Sequence, residues 1–184
     1  MVVSGPSGVG KSTIVRQVLA RTGAAYSISA TTRSPRPGEV DGRDYRFVDR
    51  ATFDRMVSGG ELLEWAEVFG NRYGTPAGPV QEALESGRTI VMDIDVQGAM
   101  QVHERLPDAT FVLIVPPGEQ ALRQRLANRG SENGPEVERR LAAAKSELDT
   151  ARRSGIYAHC VVNDDLETAV EAVTAIVQQE SVGR

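Results

Sequence analysis

Cysteine is nearly missing from this chain. Cys160 stands alone in 184 residues, which excludes an intrachain disulfide framework and suits a reducing cytoplasm. It is expected as a small buried apolar side chain in a strand. Long apolar runs are missing too: none approaches the roughly 20 residues a membrane helix needs. Excess positive charge is absent. The net charge is −4, which argues against binding to nucleic acid by general electrostatics. Aromatic residues make up only 5% of the chain. Lysine is scarce: Lys11 and Lys145 are the only two among 21 basic residues. No internal repeat or low-complexity segment is present, and no signal peptide is expected ahead of the first strand. With 40% apolar and 25% charged residues, the composition is that of an ordinary soluble domain with one core.

One of those two lysines sits in the opening stretch, "MVVSGPSGVGKST". Gly5, Gly10, Lys11 and Ser12 fit G-x-x-x-x-G-K-[ST]. Val2 and Val3 read as a strand. Ser12 to Arg21 reads as a helix, with Ile14, Val15, Val18 and Leu19 on one face and Gly23 as the stop. Glycines let the backbone curl until several N–H groups face an anion. The helix N-terminus adds about half a positive charge. In such a loop the lysine reaches the β- and γ-phosphates and the serine hydroxyl ligates Mg²⁺. The first strand begins at the initiator Met and is short, so either a clipped strand or a start lying upstream is expected.

Beyond the loop, short apolar runs alternate with helical patterns. "MVVS", "AYSIS", "TIVMDI", "FVLIV" and "CVVN" read as five strands, with helices expected near 12–22, 78–86, 97–105, 118–128, 135–154 and 165–180. This predicts an α/β fold, a parallel sheet covered on both faces, with ligands at the carboxyl ends of the strands. Two stretches break the alternation. One runs from Thr31 to about Pro79 and reads as a small α+β insertion with its own sheet, "YRFV" with "LLEWAEVF", and a short helix near 51–58. The other, from Pro116 to about Arg140, is arginine-dense and helical. The expected division is a core of 1–30, 80–115 and 141–184, an insertion of 31–79 for a second substrate, and a lid of 116–140.

Several side chains carry chemistry at these positions. Arg33 and Arg36 flank a proline in "TTRSPRPG", with Tyr45 soon after. Two guanidinium forks and a phenol can clamp a dianion, and prolines stiffen the loop. Arg125 and Arg129 share a helix face, and Arg140 could converge with them over a triphosphate, or the three could form a salt-bridged surface. Asp93 ends a strand and could hold a Mg²⁺-bound water; Asp95 fits better as a helix cap. No residue reads as a general base, and a monophosphate acceptor needs none, because its second pKa is about 6. His103 and His159 read as structural. Glu64 lies on the apolar strand "LLEWAEVF". An inward acid there could accept from the N1–H and N2–H₂ of guanine, with Ser29, Thr75 and Asp95 as companions; a solvent-facing acid is the alternative.

In order, "SGPSGVGKST", "SATTRSPRPGEVDGRDYRFV", "EWAEVFGNRYGTP", "DIDVQG", "RLANRG" and "VVNDDL" resemble guanylate kinase over essentially the whole chain. The resemblance implies a P-loop nucleoside monophosphate kinase that moves the γ-phosphoryl of ATP to GMP with Mg²⁺, and dGMP as a further acceptor, in purine nucleotide metabolism. It implies that Gly5, Pro6, Ser7, Gly8, Val9, Gly10, Lys11, Ser12 and Thr13 hold ATP and that Asn163 lies near the adenine. Ser12 and Asp93 would serve the metal. Arg33, Arg36, Tyr45 and Tyr73 would hold the GMP phosphate, while Ser29, Glu64, Thr75 and Asp95 would read or support guanine. Lys11, Arg36, Arg125, Arg129 and Arg140 would bear on the transition state. ATP and GMP are the expected partners, with no nucleic acid or membrane, and the oligomeric state stays open. The lid turn "SENGPEVE" carries an unusual Gly-Pro. A scaffold module of the same shape would have a degraded loop, whereas this one is intact. A kinase with another acceptor, such as AMP or a ribose bisphosphate, would lack a reason for Glu64 and Asp95. A switch GTPase would want an N-K-x-D reader, and none is present.

Overall fold

The computed structural model describes residues 1–128 and 134–182, without the side chains of 181 and 182. In chain order the strands are β1 (Val2–Ser4), β2 (Ala25–Tyr26), β3 (Ala30–Thr31), β4 (Arg46–Phe47), β5 (Leu62–Val68), β6 (Asn71–Pro76), β7 (Ile90–Asp93), β8 (Phe111–Val115) and β9 (His159–Val162). The helices are α1 (Lys11–Thr22), α2 (Arg50–Ser58), α3 (Ala77–Glu85), α4 (Val96–Arg105), α5 (Glu119–Ala127), α6 (Gly134–Ser154) and α7 (Leu166–Val182).

β2, β7, β1, β8 and β9 form a parallel sheet in that order. The central strands are continuous apolar runs, as burial on both faces demands. Successive side chains still point to opposite faces. Val3, Val91, Val112 and Ile114 pack under α1 and α7 through Ile14, Val18, Val170 and Val173. Val2, Met92 and Phe111 take the other face, against Val80 and Ala83 of α3 and Ala99 and Val102 of α4. Fully burying each such side chain contributes about 1.5–3 kcal/mol, so the sheet is the rigid part from which the site is hung.

β4, β3, β6 and β5 form a second sheet. β5 and β6 are an antiparallel hairpin with a register shift between Leu62 and Glu64. Leu62 joins Phe53 and Met56 of α2, while its neighbour Leu63 joins the core under the main sheet. One strand thus serves two apolar cores. Glu64 is 4% exposed and Trp65 38%, so the acid is the inward residue. α5 and α6 pack through Leu122, Leu126, Val137 and Leu141.

Two expectations change. "AYSIS" gives the main sheet only Ala25 and Tyr26; after Ser27 N donates to the Val91 carbonyl the chain crosses over, and Ala30 already pairs with Gly74 in the second sheet. Cys160 is exposed, not buried. β9 pairs only with β8 at the sheet edge, and its burial alternates, with Val161 inward and Cys160 and Val162 outward. No described helix is long and apolar enough to cross a membrane.

Candidate active site

The chain leaves β1 at Gly5 with φ 147°. A Cβ there would stand 2.3 Å from the Ile114 carbonyl oxygen of β8, so only glycine passes between the two strands. Gly10, with φ 98°, caps α1, and a Cβ there would meet Asn163 Nδ2 at 2.5 Å. The loop curls over a fixed base. Asn163, 5% exposed, donates from Nδ2 to the Val9 carbonyl at 2.7 Å. Arg125 donates to the Asn163 carbonyl at 2.8 Å and to that of Val9 at 3.4 Å. Neither Arg125 nor Asn163 lines the cleft; they brace the loop from behind.

Lys11 Nζ donates to the Gly5 and Pro6 carbonyls at 2.5 and 3.3 Å. Ser12 Oγ donates to Asp93 Oδ2 at 2.7 Å, and burial pushes the Asp93 carboxyl above its ordinary range, with Lys11 opposing. This joins the end of β7 to the start of α1. Arg140 on α6 is 9% exposed and donates from Nη2 to Ser7 Oγ at 2.7 Å. Arg129 lies outside the described residues.

Across the cleft stands the β5–β6 hairpin. Thr75 donates from Oγ1 to Glu64 Oε1 at 2.6 Å. Burial pushes Glu64 up to about 7, against the Thr75 hydrogen bond. On the far side of that carboxylate is Gly98, in the first turn of α4, where a Cβ would lie 2.4 Å from Glu64 Oε2. Asp95 caps α4 by accepting from Gly98 N at 2.7 Å, as the cap reading required, and it also lines the cleft. Ser29 is buried at the same wall. Tyr45, Tyr73 and Arg36 line it as well. The two tyrosine rings meet edge to face at 6.0 Å, and burial pushes the Tyr45 hydroxyl up to about 12. Arg33 does not line the cleft. Its Nη2 donates to both carboxylate oxygens of Glu39, at 2.8 and 2.9 Å, and its guanidinium lies 5.4 Å from the Tyr45 ring centroid. Glu39 also accepts from Arg36 N at 2.7 Å, so one acid ties both arginines of the loop together.

The cleft between these walls has a volume of about 220 Å³ and opens at the carboxyl ends of β1 and β7, where such sheets bind ligands. One side is an anion cradle of backbone amides, a lysine and an arginine. The other presents a buried carboxylate that can accept two parallel N–H groups. A second cavity, about 290 Å³, lies at the opposite ends of the strands. Its walls are mainly apolar, through Met1, Val80, Leu84, Ile90, Met92 and Leu106, and none of the expected site residues among the described ones reaches it.

Sequence reasoning missed three residues of the site. Glu39 was legible only as an acid near two arginines. Glu147 lines the cleft and burial pushes it up to about 7, with Lys11 opposing; its signal was the spacing of seven from Arg140, two helical turns along one face. Phe69 lines the cleft from the tip of the hairpin. Its signal was a Phe-Gly pair where a two-residue turn prefers Asn-Gly.

Known proteins resemble this chain along its whole length. The family model described as guanylate kinase matches residues 1–180. A guanylate kinase of Gloeobacter violaceus is 52% identical, over 98% of this chain and 87% of its own. One of Symbiobacterium thermophilum is 50% identical, over 98% and 84%. The crystal structure of guanylate kinase from Anaplasma phagocytophilum superposes with a TM-score of 0.81 at 34% identity, covering 98% of this chain and 84% of that one. A gluconokinase from Sinorhizobium meliloti, at 17% identity and TM-score 0.54, shares the fold alone.

Proposed function

Since this chain belongs to the guanylate kinase family, we propose that it transfers the γ-phosphoryl group of ATP to GMP, giving ADP and GDP. One observation carries the reading beyond the family: a single cleft has the phosphate loop on one wall and Glu64, hydrogen-bonded by the buried Thr75, on the other. In this reading the loop amides and Lys11 hold the donor's β- and γ-phosphates, exchanging the Gly5 and Pro6 carbonyls for phosphate oxygens. Glu64, as a carboxylate, accepts from guanine N1–H and N2–H₂, the Ser29 hydroxyl serves the same base, and Thr75 supports it by holding the Glu64 carboxylate. Adenine lacks that pair of donors and would leave the buried carboxylate short of the hydrogen bonds that guanine supplies beyond the one from Thr75, a penalty large enough to discriminate. Arg36, Tyr45 and Tyr73 hold the acceptor's phosphate, with Arg33 fixed behind them by Glu39. That phosphate is a dianion near neutral pH, so no side chain need take a proton from it.

Arg140 and, in the expected lid of 116–140, Arg129 bear on the charge of the transferring group. Arg125 and Asn163 support the loop. The segment 31–79 acts as the acceptor-binding unit. Ser12 and Asp93, with oxygens 2.7 Å apart, supply the hard oxygen donors that Mg²⁺ takes. When bound, the ion neutralises charge on the β- and γ-phosphate oxygens. We take the reaction to run in the cytoplasm, where an exposed thiol such as Cys160 stays reduced.

The test is an ADP-release assay with Mg·ATP and a panel of GMP, dGMP, AMP, UMP and ribose bisphosphate. GMP should turn over fastest, dGMP should be accepted, and the others should stay below about one hundredth of the GMP rate, a bound well inside the roughly 10⁴-fold discrimination that lost hydrogen bonds at a buried polar site support. Equal turnover of AMP and GMP would remove the guanine assignment.

A further inference from the structure

The β5–β6 hairpin turns on two residues, Phe69 and Gly70, with φ of 50° and 77°. A two-residue turn with both φ positive favours asparagine or glycine first. Phe69 is the one described non-glycine residue with positive φ, and a bulky side chain there is strained. Burial does not explain its presence, because the ring is 40% exposed. Its contacts do. The guanidinium carbon of Arg139 lies 5.1 Å from the ring centroid and that of Arg140 5.3 Å, both within cation–π range.

These contacts join the two walls of the cleft. Phe69 is the tip of the hairpin whose strands carry Glu64, Tyr73 and Thr75. Arg140 is the α6 residue that donates to Ser7 in the phosphate loop. A shift of the hairpin tip therefore moves the ring against the guanidinium that bears on the donor side. Local strain kept at a site that bridges two substrate walls is the kind of rule-breaking that function retains.

We propose that Phe69 is a positioning residue: it couples the acceptor hairpin to Arg140, so that a nucleotide seated against Glu64 and Tyr73 sets the arginine over the donor's phosphates. This rests on the phosphotransfer reading of the cleft. Coupling of this kind is reciprocal, so each nucleotide should tighten the other.

The experiment uses the full chain with Phe69→Asn and Phe69→Tyr. Asparagine adopts the positive φ readily and has no ring; tyrosine keeps the ring. Measured are kcat and KM for GMP and Mg·ATP, the Kd of GMP with and without a non-hydrolysable ATP analogue, and the melting temperature. Phe69→Asn should melt at or above the wild-type temperature. Its kcat should fall about tenfold, which is about 1.4 kcal/mol. Its affinity for GMP alone should stay within about twofold, and the tightening of GMP by the ATP analogue should be lost. Phe69→Tyr should keep kcat within about twofold, since the cation–π contact survives. The proposal is overturned if Phe69→Asn keeps both wild-type kcat and the mutual tightening. It is also overturned if Phe69→Asn weakens GMP alone to the same degree as kcat, or if the two variants lose activity and melting temperature together. Wild-type protein that leaves GMP and Mg·ATP unchanged would instead overturn the phosphotransfer reading beneath it.

Discussion

The two walls of the cleft are built differently. The phosphate-loop wall ties its side chains to the loop itself and to its neighbours: Lys11 rests on the Gly5 and Pro6 carbonyls, Ser12 on Asp93, Arg140 on Ser7 and Asn163 on Val9. The hairpin wall is built around a buried acid. It buries the Glu64 carboxyl with the Thr75 hydroxyl as its hydrogen-bond donor and a close glycine behind it. An anion cradle can be made from backbone and is stable before its ligand arrives. A reader of a base's N–H groups stores an unfavourable buried acid that only the matching donors relieve. Each change below breaks or sharpens that contrast.

The largest effect belongs to the cradle. Lys11→Ala should lower kcat on the order of 10²–10³-fold, since it removes a preorganised charge where negative charge gathers, while the melting temperature barely moves. An ADP-release assay beside a thermal melt checks both, and near-wild-type kcat would end the role given to Lys11. Next comes the reader. Glu64→Gln should raise the KM for GMP by about 10- to 100-fold, the worth of a charged hydrogen-bond acceptor, and leave the KM for ATP within about twofold. Equal losses for both nucleotides would erase the distinction between the walls.

Gly98→Ala is a finer probe of the same wall. The added Cβ would stand 2.4 Å from Glu64 Oε2, so the carboxylate must shift away from Thr75. Alanine also favours the helix by up to about 1 kcal/mol. The expected outcome is a melting temperature held or raised with a KM for GMP increased about tenfold; a KM for GMP equal to wild type would show that the carboxylate has room to spare.

The smallest effect is on stability against pH. Glu64 titrates near 7 in the fold, raised by burial, against about 4.3 unfolded. The folded state therefore holds an extra proton between those values, and stability falls as pH rises through that window. Glu64→Gln, which stores no charge, should melt higher than wild type at pH 8 by roughly a few degrees, with the gap closing by pH 5. GMP affinity of the wild type should rise over the same window, because the carboxylate form is the one that binds. A gap independent of pH would mean that Glu64 is not held near neutrality.

Much of the site was legible because it is local. G-x-x-x-x-G-K-[ST] between a strand and a helix encodes a loop whose ligands are its own amides. Asp93 at a strand end and Asp95 at a helix start were readable for the same reason. Glu64 was only half legible. Its place on an apolar strand raised the question, but the register shift after Leu62 and the packing of α4 answered it. Cys160 was misplaced because periodicity does not tell an edge strand from a central one. Arg33 and Arg36 read as a pair, yet only Arg36 faces the cleft, since Glu39 draws Arg33 behind Tyr45.

By itself the sequence determined the parallel sheet, the anion loop and the family, because these depend on spacing within a few residues and on apolar period. Tertiary structure alone decided which acid is buried, which arginine lines the cleft, and that Phe69 lies against Arg140 from the opposite wall. Those outcomes depend on desolvation and on contacts between residues some seventy apart along the chain, as from Phe69 to Arg140. Such contacts leave no periodic trace, and only closing the chain brings them within a few ångströms.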